Sequence, residues 1–108
     1  MFQKALETFA GIGDEPNTAA IYGNLAIVLK QKGEVARALE YYDKSLRIKE
    51  RIGDRHGVAN TYFNLGNLYR GLGERGQARA HYEKAKALFE IVGDVPHAQQ
   101  AARALQQL

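Results

Sequence analysis

Apolar residues recur along this chain at helical spacing, and the pattern repeats every 40 residues. Over 19–32, Ile21, Tyr22, Leu25, Val28 and Leu29 fall on one face of a 3.6-residue helix. Over 34–52, Val35, Ala38, Leu39, Tyr42, Ser45, Leu46 and Ile52 do nearly the same. The following stretch copies both stripes, through Tyr62, Leu65, Leu68, Tyr69 and Leu72, then Ala78, Tyr82, Ala85, Leu88, Phe89 and Val92. No β-branched run alternates with polar residues, so no strand is predicted. The stripes predict six helices, over 1–11, 15–32, 34–51, 55–72, 75–91 and 95–107.

The helix boundaries are marked by chemistry. Gly13-Asp14, Gly53-Asp54 and Gly93-Asp94 each follow an apolar residue. A glycine there takes the left-handed conformation that closes a helix, and the aspartate caps the free N–H groups opening the next one. Pro16 and Pro96 stand in first turns, where a missing N–H costs nothing. Gly33 and Gly73 divide each unit into two helices joined by two or three residues, so consecutive helices pair antiparallel. A fixed period of this length predicts stacked helical hairpins, each burying its apolar face on its neighbours. The expected fold is therefore all-α, an α-solenoid of antiparallel hairpins forming a single domain over 1–108. Within it, 14–53 and 54–93 are full repeats, 1–13 is a second helix and 94–108 a first helix. The terminal face of Ala98, Ala101, Ala102, Leu105 and Leu108 reads as uncapped, which predicts a piece of a longer array or a homo-oligomer joined through its ends.

Composition narrows the function classes. The chain has no cysteine, which excludes disulfides and thiolate chemistry, and Lys4 and Glu7 interrupt any leader-like apolar stretch. No apolar run reaches the about 20 residues of a membrane helix, and the lack of cysteine fits a cytoplasmic protein, which is the expected location. The net charge of +3 is spread along the chain rather than gathered in a basic stripe, so nucleic acid is not an expected partner.

The landmarks within each unit have a specific spacing: Tyr22, Leu25, Ala26, Leu29, Gly33, Ala38, Tyr42, Ser45, then Tyr62, Leu65, Gly66, Tyr69, Gly73, Ala78, Tyr82, Ala85. This resembles the tetratricopeptide repeat (TPR). The second unit matches at every landmark, and the first departs at Ala26, Leu29 and Ser45. Glu50 and Glu90 replace the final proline of the common form, giving the longer 40-residue version. The run Tyr62-Phe63-Asn64-Leu65-Gly66-Asn67-Leu68-Tyr69 is most similar to the branch containing LGN/Pins adaptors, kinesin light chains and bacterial regulators.

The resemblance implies a right-handed superhelix and a non-enzymatic protein-interaction module whose first helices line a peptide-binding concave face. Carried over, the contact positions are Asn24, Ile27, Lys30 and Gln31 in the first unit, with Ala20 and Gly23 beside them. In the second they are Asn60, Phe63, Asn64, Asn67 and Arg70, with Gly71. The last helix offers Gln100, Arg103, Ala104 and Gln107. This set has amides that can bond a peptide backbone, bases that can bond carboxylates, and no carboxylate of its own. An acidic peptide is the expected ligand. The alternatives are a sensor segment of a larger bacterial regulator and a scaffold that self-assembles through its ends.

No catalytic residue, metal site or cofactor is expected. His56, His81 and His97 share no i, i+3 or i+4 spacing, and no carboxylate joins them in the sequence pattern. Gly11-Ile12-Gly13 and Gly71-Leu72-Gly73 follow no strand and lack a phosphate-loop lysine.

Overall fold

The computed structural model describes residues 15–108. It contains five α-helices: α1 Glu15–Gln31, α2 Val35–Arg51, α3 Arg55–Gly71, α4 Arg75–Ile91 and α5 Val95–Gln106. All lie within a residue of the positions expected from the apolar stripes. The expected helix over 1–11 and the Gly13-Asp14 junction lie outside the described residues.

The four glycines at the turns share one device. Gly33, Gly53, Gly73 and Gly93 all have φ between +76° and +83°. Each lets two N–H groups reach back onto the last turn. For Gly73 these are Gly73 N–H to Arg70 O at 3.0 Å and Glu74 N–H to Tyr69 O at 2.9 Å. This double closure satisfies carbonyls that a helix end otherwise leaves bare. Asp94 then opens α5 as expected, its Oδ1 accepting from His97 N–H at 3.1 Å, with Pro96 in the first turn.

The chain falls into two compact units, one ending at Asp54 and one running Arg55–Leu108. In the first, α1 packs on α2 through Ala19, Leu25, Ala26, Leu29, Ala38 and Tyr42, all buried. Ser45 is fully buried as well, and its hydroxyl donates to Ala19 O at 2.9 Å. In the second, α4 packs against both α3 and α5. One cluster gathers Ala59, Ala85, Phe89 and Ala98, and another gathers Ala78, Tyr82 and Ala104. Burying Tyr82 and Phe89 contributes about 1.5–3 kcal/mol each. Ala78 and Ala85 expose nothing, because any larger side chain would hold the neighbouring helices apart.

Two expectations need correction. Val28, Ile52, Leu72 and Val92 belong to the apolar stripes yet are exposed. The latter three sit at helix ends, past the last turn that a neighbour covers. Leu105 and Leu108 do not form an uncovered face. They pack, half-buried, on the Tyr82 cluster, and Ala101 is fully buried. What stays open on that side is a shallow hollow lined by Lys86, Glu90, Val95, Ala98, Gln99 and Ala102.

Candidate functional site

An open groove of about 470 Å³ lies between α3 and α5. Phe63, Asn67 and Arg70 come from α3; Gln100, Arg103, Ala104 and Gln107 come from α5. The spacing follows from the helix: 63, 67 and 70 sit four and three residues apart, as do 100, 103, 104 and 107, so each set shares one face. No carboxylate lines the groove, and both guanidiniums are exposed.

The groove floor is pinned from beneath by α4. The Phe63 ring lies 5.4 Å from that of Tyr82, tilted by 51°. The Tyr82 hydroxyl donates to Asn67 Oδ1 at 2.5 Å. That bond occupies the amide oxygen and leaves the Asn67 N–H donors for a ligand. Burial pushes the Tyr82 phenol above its usual range, and the nearby Arg70 charge offsets part of the rise. Tyr82 can pass so close under α3 because Gly66 carries no side chain: a Cβ there would meet Tyr82 Cδ1 at 2.6 Å.

Of the residues expected on the binding face, Phe63, Asn67, Arg70, Gln100, Arg103, Ala104 and Gln107 come together here. Asn60 and Asn64 do not line the groove; both are half-buried on α3, and Asn60 Nδ2 donates to His56 Nδ1 at 3.3 Å. Asn24, Ile27, Lys30 and Gln31 belong to α1 in the first unit, with Asn24, Ile27 and Gln31 exposed and Lys30 half-buried.

The expectation that no carboxylate joins the histidines does not hold. Asp94 joins His56 and His97: Asp94 Oδ2 accepts from His56 Nε2 at 2.8 Å and from His97 Nδ1 at 2.6 Å. The His97 ring stacks on Phe89 at 5.1 Å, and His56 meets both rings edge-on. The bond from His56, reinforced by His97, holds the Asp94 carboxyl below its usual range. The signal was in the period. Residues 56 and 97 are 41 apart, hence neighbours on successive first helices, and the repeated Gly-Asp junction sets a carboxylate between them.

A second aromatic array occurs in each hairpin. In the first unit Tyr22 stacks on Tyr41 at 5.7 Å with Lys44 Nζ over both rings. In the second, His81 stacks on Tyr69 at 5.1 Å and Lys84 lies over Tyr62. His81 Nδ1 donates to Gln77 O at 2.7 Å, which accounts for its position.

Hairpins built on these landmarks define a helical-repeat protein. The tetratricopeptide repeat model matches residues 1–51 and 17–91, and the chain belongs to that family. Among solved structures it is similar to BtubC (BKLC) from P. vanneervenii, with a TM-score of 0.71 and 26% identity. That match covers 97% of this chain and 53% of the other, so the chain spans about half the length of this relative. No curated protein matches it. Among the described residues no helix is long and apolar enough to cross a membrane.

Proposed function

We propose that this chain is a protein-interaction module that binds an extended acidic peptide in the α3–α5 groove. Tetratricopeptide repeats are interaction modules, which supports the general class. The finer reading rests on one observation: a groove whose polar lining is two guanidiniums and three amides, without a carboxylate. Arg70 and Arg103 offer paired N–H donors matched to carboxylates. Asn67, Gln100 and Gln107 offer donors and acceptors to a peptide backbone, whatever its side chains. Phe63 supplies an apolar surface at the groove's base. On the first unit, Asn24, Lys30 and Gln31 offer amides and a base of the same kind, with fewer charges, beside the apolar Ile27.

The test is selection from a displayed peptide library, run beside an Arg70→Ala/Arg103→Ala variant. Enrichment of acidic peptides by the wild type, lost in the variant, is the expected outcome. Enriched peptides that lack acidic residues, or that bind both proteins within twofold, would refute the assignment.

A further inference from the structure

We propose that His56, Asp94 and His97 form a binding site for a divalent metal ion that favours imidazole, with Zn²⁺ as the representative. One ligand atom from each residue lies within 4.8 Å of the other two. The three come from the first turn of α3, the turn that ends α4, and the first turn of α5. Backbone hydrogen bonds fix the last two: Asp94 N–H to Phe89 O at 2.9 Å, and His97 N–H to Asp94 Oδ1 at 3.1 Å. Ring contacts with Phe89 hold both imidazoles in place.

Two histidines and a carboxylate are a ligand set that zinc accepts at about 2.0–2.2 Å, with a fourth position left to water. Tetrahedral bonds of that length set ligand atoms about 3.3 Å apart. The present hydrogen-bonded pairs, at 2.8 and 2.6 Å, are therefore too close, and a metal would open them by roughly half an ångström or more. All three side chains reach solvent, with 49%, 19% and 47% of their surface exposed, so an ion has a path in and room for water ligands.

The proton accounting is consistent. In the metal-free protein the His56 Nε2 proton points at Asp94, while Nδ1 accepts from Asn60. A metal on Nε2 requires the other neutral tautomer. Its Nδ1–H then donates to Asn60 Oδ1 once that amide turns over, a partner of the kind that orients metal-bound imidazoles. His97 would bind through Nδ1, so its proton, which now points from Nδ1 to Asp94, must likewise move to Nε2. The positive ends of α3 and α5 oppose any cation here. A hard ion bound through charge alone is therefore disfavoured, and bonds to imidazole nitrogen must carry the affinity. An occupied site would tie the start of α3 to the α4–α5 turn.

Calorimetric titration of the whole chain with ZnCl₂, with MgCl₂ as control, tests this. His56→Phe and His97→Phe keep a ring against Phe89 while removing a ligand, and their metal-free melting temperatures show whether packing survives. Expected are one Zn²⁺ equivalent on the wild type, no Mg²⁺ binding, and affinity at least about tenfold weaker in each variant. Zinc should also raise the melting temperature of the wild type alone. No saturable Zn²⁺ binding into the millimolar range, or binding that both variants retain, would overturn the site.

Discussion

The α1–α2 and α3–α4 hairpins solve one packing problem with different residues. In the second hairpin Gly66 lets the Tyr82 ring lie against the α3 backbone, and Asn67 takes the Tyr82 hydroxyl bond. In the first, Ala26 and Ile27 occupy the equivalent positions, so the hairpin carries the methyl that Tyr82 forbids and has no amide for Tyr42. Ser45 compensates elsewhere, bonding Ala19 O across to α1 where the second hairpin has only the apolar contact of Ala85 with Ala59. The difference falls where the groove forms. The polar bond from Tyr82 fixes Asn67 in the lining, whereas the first unit presents Ile27 to solvent. The landmark residues are thus two different sets, one tuned to hold a polar surface in place and one tuned only to pack.

The largest break in this comparison is Tyr82→Ala. It empties the site that joins α3, α4 and α5, and should cost about 3–5 kcal/mol in urea unfolding. Next is the exchange at the glycine landmark. Gly66→Ala forces a Cβ into the Tyr82 ring and should cost about 1–3 kcal/mol, although alanine is the better helix former. The reciprocal Ala26→Gly should cost at least about 1 kcal/mol, through helix propensity and the loss of a buried methyl. An indifferent melting temperature for Gly66→Ala would mean that the close approach of Tyr82 is not required. The hydroxyl exchange is smaller. Ser45→Ala should cost about 1 kcal/mol, by thermal denaturation, for a lost buried hydrogen bond. Ala85→Ser should be close to neutral if Ala59 O can accept as Ala19 O does.

The smallest effect is expected from alkali. Burial raises the phenols of Tyr42 and Tyr82 above their unfolded values. Their contribution is present in full below the unfolded value near about 10 and is lost as pH climbs through the raised folded values. The urea midpoint should fall as pH rises above about 10. The double replacement Tyr42→Phe/Tyr82→Phe should fall less over that window; an equal fall would assign the loss to other groups.

Most of the fold is legible in the sequence because helix period, glycine stops and aspartate starts act locally and agree with one another. The groove lining is legible only through the family resemblance, which puts Phe63, Asn67, Arg70 and Arg103 at ligand-contact positions; helical spacing adds that Phe63, Asn67 and Arg70 share one face. What was missed depends on contacts between elements. The burial of Leu105 and Leu108 requires knowing that α5 turns them toward Tyr82. The cluster of His56, Asp94 and His97 joins residues up to 41 positions apart, and spacing within a single helix cannot reveal it. The repeat position of Asn60 predicts a place on the binding face, but its amide bonds His56 and does not line the groove.

The most direct test of the central claim is a chemical-shift map. The ¹⁵N-labelled chain would be titrated with an acidic peptide taken from the library selection. The account predicts that the largest shifts cluster at Phe63, Asn67, Arg70, Gln100 and Arg103, and that added salt diminishes them. Shifts centred instead on Tyr22, Tyr41 and Lys44, or on the hollow around Val95 and Ala102, would contradict it.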